Sequence, residues 1–356
     1  MRGIVWDGER LHVTDELEVR DPGPGEVRVR VHASGICHSE LFAMRYAGDR
    51  LPMVLGHEAA GVIDMVGPGV DRRIGEHVTV CCHTPCGTCD DCRKGNSAIC
   101  PQGWGGPPRT PFTWRGQPTH SMANSSSFAQ QIVIEASQAH NTDGIPDQEA
   151  ALIGCAVTTG VGAARILGRV QTGDIVAVMG IGGIGVNALQ GARLAGAARI
   201  IAVDLDPRKL ATARTYGATD LVQVARTDTR EDVARKITEA SPRVDVVIEC
   251  SGAPTAIEAA MMLPYLGGRT VLIGLPPPDA HVCFHAMNFI PGKTFVSGYN
   301  GGTTAGASFQ RVVEEVRAGE IEIASQITRV WPMDKVEDAL RALERGEVTR
   351  AVLDMR

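Results

Sequence analysis

Apolar and polar residues alternate along Glu26-Val27-Arg28-Val29-Arg30-Val31-His32, the pattern of a strand with one buried face. Val62-Ile63 and Val78-Thr79-Val80 are further short strand candidates, set apart by Gly67-Pro68-Gly69 and Gly75-Glu76 turn signals. Glycine, proline and short alternating segments fill the chain up to Cys155, so this part reads as mostly β. Residues 101–127 carry Pro, Gly, Trp and Ser throughout and read as one long loop.

The texture changes after Cys155. Short apolar runs at Asp174–Gly180, Arg199–Asp204, Val244–Cys250 and Arg269–Leu275 alternate with helical stretches at Ile184–Ala195, Pro207–Tyr216 and Pro254–Tyr265. Strands and helices alternating at these lengths predict a parallel sheet covered on both faces. The last stretch returns to mixed character and is expected to rejoin the first part, with the α/β unit inserted. The fold class is therefore α/β. A doubly wound parallel-sheet domain over 157–298 joins a mostly β domain made of 1–156 and 299–356.

Composition narrows the class. The chain has 356 residues, a net charge of -6, 44% apolar and 21% charged residues. Its Lys and Arg are dispersed, which argues against a nucleic-acid surface. No apolar run approaches the ~20 residues needed to span a bilayer, and the start lacks the apolar core of a signal peptide. The expectation is a cytoplasmic protein without nucleic-acid or membrane partners. In such a chain ten cysteines point to metal binding or catalysis ahead of disulfides.

Four of those cysteines, Cys86, Cys89, Cys92 and Cys100, follow C-x2-C-x2-C-x7-C. Four thiolates in one loop suit a closed tetrahedral zinc site, which is structural because no coordination position stays open. Cys37, His57 and Cys155 can supply two thiolates and one imidazole to a second, open site. From spacing alone that triple stays a guess beside three ordinary buried polar or sulfur side chains.

Gly180-Ile181-Gly182-Gly183-Ile184-Gly185 matches G-x-G-x-x-G after a strand and before a helix, and Asp204 ends the next strand. That context is the dinucleotide fingerprint. Gly180 permits the turn, Gly182 admits a pyrophosphate, Gly185 lets helix and strand pack, and the helix start favours phosphate. Asp204 accepts from ribose hydroxyls and repels a 2′-phosphate, so NAD is favoured over NADP. Arg208 and Lys209 lie just beyond and read either as contacts to phosphate or ribose, Lys209 above all, or as solvated helix charges; Ile273 is placed among the expected cofactor contacts.

Together, the G-I-C-H-S segment at Gly35–Ser39, Gly56-His57-Glu58, the four-cysteine loop, Cys155 with Thr159, the glycine turn, Asp204 and Arg350 resemble the zinc-dependent medium-chain alcohol dehydrogenases. The resemblance spans nearly the whole chain. It implies a catalytic domain of the GroES-like type and a Rossmann-type NAD domain. It also implies two zinc ions and, given the long 101–127 stretch, a homodimer. Cys37, His57 and Cys155 then correspond to catalytic zinc ligands, Glu58 to the carboxylate beside the metal, and Glu40 to the group orienting the zinc-bound histidine. Ser39 corresponds to the proton-relaying hydroxyl. His38 and Arg350 correspond to pyrophosphate contacts, with His38 counted in the catalytic group, and Thr159 and Ile184 to neighbours of the nicotinamide. His281–Ala286 is an interface strand or an ordinary edge strand.

The implied reaction is interconversion of an alcohol with an aldehyde or ketone by hydride transfer to NAD. Cysteine as the third ligand points to the alcohol type over the polyol type. Phe42 stands where many relatives have a proton-relaying histidine. Cys82, Met122 and Ala123 occupy the expected substrate pocket; Cys82 replaces an aromatic residue, which implies a bulkier substrate than ethanol. Alternatives are a thiol adduct of formaldehyde, for which Arg109 is the nearby basic residue, and reduction of a conjugated or iminium compound. A zinc ribbon that binds nucleic acid would leave the glycine turn and Asp204 unexplained.

Overall fold

The computed structural model describes residues 1–103, 109–290 and 292–356. It divides into two compact units. One comprises Met1–Cys155 and Thr304–Arg356; the other comprises Ala156–Thr303.

In the first unit, the strand Glu26–Ile36 is the organising element. Val27, Val29 and Val31 are buried while Arg28, Arg30 and His32 face outward, as the alternation predicts. It pairs antiparallel with Glu58–Val66, Gln131–Glu135 and Arg350–Asp354. The last pairing sets Ala351 opposite Ile36 and Asp354 opposite Ala33, which ties the C-terminal segment into this unit. A second sheet runs in the order Leu11–Thr14, Gly3–Trp6, Met53–Val54, Gln117–Ser121, Phe112–Trp114 and Leu17–Val19. The core of this unit includes Ile4, Leu17, Val29, Ile63, Phe112, Phe128 and Leu353, each essentially inaccessible. Each such side chain contributes about 1.5–3 kcal/mol by leaving water.

Residues 101–127 are thus not one loop. They contain the hairpin Phe112–Trp114 and Gln117–Ser121, with Phe112 opposite Thr119. Phe112, Trp114 and Thr119 are buried, so a short apolar alternation was hidden among glycines and prolines. Trp114 packs in the core beneath the Arg115 guanidinium; Trp104 lies outside the described residues.

The second unit holds a six-stranded parallel sheet. Its order is Asp220–Gln223, Arg199–Asp204, Ile175–Met179, Val246–Glu249, Arg269–Leu272 and Thr294–Ser297. The order reverses between Ile175–Met179 and Val246–Glu249, a crevice where ligands bind at the carboxyl ends of strands. Val176, Ala177 and Val178 are all inaccessible, which is why these strands read as unbroken apolar runs. The segment His281–Ala286 forms no strand within the chain: it has no regular structure before a 3-10 turn at Ala286–Phe289. Pro276-Pro277-Pro278 just before it lack the N–H groups a ladder needs.

One helical stretch, Asp147–Leu167, does reach the length and apolarity of a membrane span, contrary to the sequence expectation. Its apolarity serves the interior, since 83% of its most apolar window is buried in the protein.

Candidate active site with two metal centres

Three elements of the first unit converge on one cluster. Cys37 follows the strand Glu26–Ile36 and caps the start of the helix His38–Tyr46. His57 stands immediately before the strand Glu58–Val66. Cys155 lies in a π turn, Ile153–Val157, that follows the helix Asp147–Leu152. Such turns re-aim side chains and recur at functional sites. The ligand atoms of Cys37, His57, Glu58 and Cys155 all lie within 4.8 Å of one another, and all four residues are buried. Two thiolates, one imidazole and a fourth place shared by a carboxylate or substrate suit catalytic zinc.

Glu40 orients two of the ligands. It is fully buried in the first turn of the helix His38–Tyr46. One carboxylate oxygen accepts from the Cys37 backbone N–H at 2.6 Å, and the other contacts Nδ1 of His57. A carboxylate on the far nitrogen fixes the imidazole and raises its basicity. Burial favours the neutral ring of His57, but Glu40 and Cys37 together outweigh it and hold the pKa well above the ordinary value. Cys37 is held well below the ordinary thiol value, first by its hydrogen bond from Cys155, with burial opposing and His57 and Arg350 adding. Cys155 is correspondingly raised, as the partner of Cys37 and Cys82 in a buried place.

Glu58 sits deepest. Burial pushes its pKa up to about 7, with the Arg350 guanidinium opposing. Arg350 is itself buried and ion-pairs with one oxygen of Glu58. Gly35 makes that position possible: a Cβ there would come within 1.8 Å of a Glu58 carboxylate oxygen. The other oxygen, Oε1, is buried with no hydrogen-bond partner among the described residues, which leaves it available to a cation.

The second centre is the loop of Cys86, Cys89, Cys92 and Cys100. Its four sulfurs also lie within 4.8 Å of one another. Sulfurs bound tetrahedrally at 2.3 Å stand about 3.8 Å apart; here Cys89 and Cys100 are 3.8 Å apart, and Cys86 and Cys100 are 3.6 Å apart. Backbone N–H groups of Cys86, Cys89 and Cys92 point at Cys100, Cys86 and Cys89 sulfurs at 3.4, 3.3 and 3.5 Å. Backbone N–H contact from Thr88 first, then its hydroxyl, bring the Cys86 thiol down to about 6, while burial and its sulfur neighbours push Cys92 up to about 12. Sulfurs crowded this way share protons, and a divalent cation replaces those protons.

In the second unit the glycine turn has the predicted shape. Gly180 has φ +89° and a Cβ there would press on Ser251. A Cβ on Gly185 would lie 1.9 Å from the Gly180 carbonyl oxygen, so helix and strand pack as closely as glycine allows. A Cβ on Gly182 would meet nothing within 4 Å, which leaves open space at the start of the helix Gly183–Leu194. Asp204 accepts from the Ile181 N–H at 2.6 Å and the Asp206 N–H at 2.8 Å. Its carboxylate therefore already sits at the turn.

The two parts of the chain match two family models: the alcohol dehydrogenase GroES-like domain over residues 23–147 and the zinc-binding dehydrogenase over residues 183–318. The S-(hydroxymethyl)glutathione dehydrogenase of Escherichia coli O1:K1 / APEC is 34% identical, covering 97% of this chain and 96% of that protein. The chain belongs to the zinc-binding alcohol dehydrogenase family. Two solved structures have the same fold. An alcohol dehydrogenase zinc-binding domain protein from Burkholderia ambifaria has TM-score 0.90 and 28% identity, covering 100% of this chain and 98% of that one. The benzyl alcohol dehydrogenase of Acinetobacter calcoaceticus has TM-score 0.89 and 24% identity, covering 100% of this chain and 99% of that one.

The remaining expected residues of this dehydrogenase are distributed as follows. Ser39 is half-buried with its hydroxyl 3.6 Å from the Cys37 sulfur, and His38 is exposed at the start of its helix. Cys82 packs against Cys37 and Cys155, and its thiol donates to the Gly154 carbonyl at 3.3 Å. Met122 and Ala123 are buried in the core of the first unit. Arg350, expected at a pyrophosphate, is engaged by Glu58. In the second unit Thr159 is buried and donates to Asn300 at 3.2 Å, while Gly183, Ile184, Lys209 and Ile273 are half-buried. Phe42 is exposed and its ring lies tilted against Tyr46, with centroids 4.8 Å apart.

The sequence reading missed Gly154 and Ser127, and it named Gly35 only as part of a motif, without its steric role against Glu58. The Ser127 hydroxyl accepts from the Glu58 N–H at 3.2 Å and from Ser34 at 2.6 Å. A Cβ on Gly154 would strike the Val80 carbonyl oxygen at 2.6 Å. The steric role of each glycine has no local signal, since both answer contacts made by distant segments.

Proposed function

We propose that this protein interconverts an alcohol with an aldehyde or ketone, using NAD(H) and a zinc centre held by Cys37, His57 and Cys155. The observation that carries the reading is the convergence of two thiols, one imidazole and the Glu58 carboxylate within 4.8 Å, all buried. When bound, zinc supplies Lewis acidity toward the substrate oxygen and NAD supplies the hydride acceptor. The chain's own groups do the rest. Glu40 holds the His57 ring and the Cys37 backbone in one orientation. The Ser39 hydroxyl, beside Cys37, takes the proton that the alcohol releases. Arg350 balances the buried charge of Glu58 and is free at its Nε to reach a cofactor phosphate. Asp204 receives the ribose hydroxyls at the end of its strand, and Gly182 leaves room for the pyrophosphate. His38, Thr159, Ile184, Lys209 and Ile273 complete the cofactor contacts.

Cys82 beside the ligands is far smaller than an aromatic side chain, so the substrate is bulkier than ethanol. Its class is a benzylic or branched alcohol; the benzyl alcohol dehydrogenase shares the fold. The protein acts as a cytoplasmic homodimer. Phe284, Met287, Phe289 and Ile290 form an exposed apolar group of the kind that a second copy covers.

A second reading, oxidation of the thiol adduct of formaldehyde, is favoured by the activity for which the 34% identical Escherichia coli relative is named. Against it, Arg109 is tied to Glu135 at 3.0 Å. A panel of benzylic, aliphatic and terpenoid-like alcohols and S-(hydroxymethyl)glutathione, each with NAD, separates the two. The proposal expects the highest kcat/KM on a benzylic or branched alcohol. Turnover confined to the glutathione adduct selects the second reading, and no turnover on any member defeats both.

A further inference from the structure

A third group of metal-binding side chains lies away from both cysteine centres. His32, His77 and Asp147 each offer a ligand atom, and these atoms lie within 4.8 Å of one another. They come from three separate elements of the first unit. His32 is the residue skipped in the register between the strands Glu26–Ile36 and Glu58–Val66, where Val31 pairs with Gly61 and Ala33 with Ala60. His77 opens the strand His77–Val80, opposite Val62. Val62 in turn stands opposite Arg30, so both histidines project from the outer face of the sheet. Asp147 opens the helix Asp147–Leu152.

The geometry is close to that of a coordinated ion. The Nδ1 of His32 is 2.8 Å from one oxygen of Asp147, and the Nδ1 of His77 is 3.3 Å from the other. Ligands held at about 2.0–2.1 Å from one tetrahedral ion stand about 3.4 Å apart, so a small side-chain rotation suffices. The imidazole rings meet edge to face with centroids 6.2 Å apart, which aims both toward the carboxylate rather than at each other. His32, Asp147 and His77 keep 19%, 21% and 46% of their side-chain surface, so an ion can enter and retain water as a further ligand. The neighbouring charges are mixed: Asp143 near His77 is paired with Arg73, and Asp354 near His32 is paired with Arg356, which also lies near Asp147, so the negative charge for a cation comes from Asp147 itself.

We propose that His32, His77 and Asp147 form a third, half-exposed site for one first-row divalent transition ion, zinc by preference, distinct from both cysteine centres. Two imidazoles and one carboxylate suit such ions over calcium or magnesium. An ion there ties the start of the Asp147–Leu152 helix to two strands of the sheet. That helix leads directly into the π turn bearing Cys155.

The test uses the holoenzyme with its tightly held metal in place, titrated calorimetrically with ZnCl2 and, separately, MgCl2. Wild type is expected to take up one further zinc per chain and no magnesium. H77A and D147N are expected to weaken that uptake about tenfold or more, as loss of a direct ligand should exceed loss of an outer partner. His77 is half-exposed, so H77A is expected to fold normally, with an unchanged circular dichroism spectrum and unchanged turnover in the absence of added zinc. No further equivalent in wild type, or an equivalent bound equally well by H77A and D147N, overturns the proposal. In either case, the reading of the Cys37 centre stands untouched.

Discussion

At the residue scale, the site depends on charges that bury one another. Glu58 and Arg350 are both inaccessible and form a direct pair. Removing one partner of such a pair costs about 3–5 kcal/mol, because a buried charge is left without its counterpart. R350A is therefore expected to lower the urea midpoint substantially. The double variant E58A/R350A should cost less than the sum of the singles in the same titration. G35A should act on the same pair by steric means: its Cβ overlaps the Glu58 carboxylate, so turnover should fall while the second unit still binds NADH. A second residue-level prediction concerns His140, whose pKa burial lowers from the ordinary 6.5, while Gln310 opposes. The folded state thus prefers the neutral ring. Its stability is fully present above about 6.5 and declines as the pH falls below that value, because the unfolded chain takes up the proton first. H140Q is expected to show a smaller drop in melting temperature between pH 7.5 and 5.5 than wild type. An equal drop in both assigns the acid sensitivity to other groups.

At the element scale, the loop Cys86–Cys100 has only a one-turn helix, Asp90–Arg93, and a 3-10 turn, Ser97–Ile99, neither with a buried side chain. Among the described residues neither turn buries an apolar side chain, so the loop's shape rests on its sulfurs and what they bind. C89A is expected to reduce bound zinc from two ions to one per chain and to lower the melting temperature, with metal analysis as the readout. Retention of both ions would falsify the assignment of this loop as a closed site. Elements were legible where periodicity was strong. The runs at Arg199–Asp204 and Ile175–Met179 appear as strands because full burial on both faces leaves an unmistakable apolar block. The hairpin within 101–127 escaped notice because its three-residue strand alternates too briefly to stand out among glycines and prolines. The π turn at Ile153–Val157 was equally invisible, since extra winding comes from tertiary packing and has no residue code.

At the scale of the molecule, the division into two units follows from two kinds of sheet, one mixed and half-exposed, one parallel and fully covered. The four-cysteine loop and the glycine turn were readable from spacing because each lies within one short segment. Cys37, His57 and Cys155 were not, because three distant segments bring them together; only the family pattern singled them out. The expectation for cofactor choice also belongs at this scale. D204N is expected to weaken NADH binding about tenfold, consistent with loss of a charged hydrogen bond worth about 1.5–3 kcal/mol, and to narrow the gap between NADH and NADPH in a fluorescence titration. The central claim is that Cys37, His57 and Cys155 hold the ion on which turnover depends. An anomalous difference map at the zinc edge, from crystals of actively turning-over protein, addresses it directly. The account predicts one peak bonded to those three side chains and a second among Cys86, Cys89, Cys92 and Cys100. Fully active protein with no peak at the first position contradicts it.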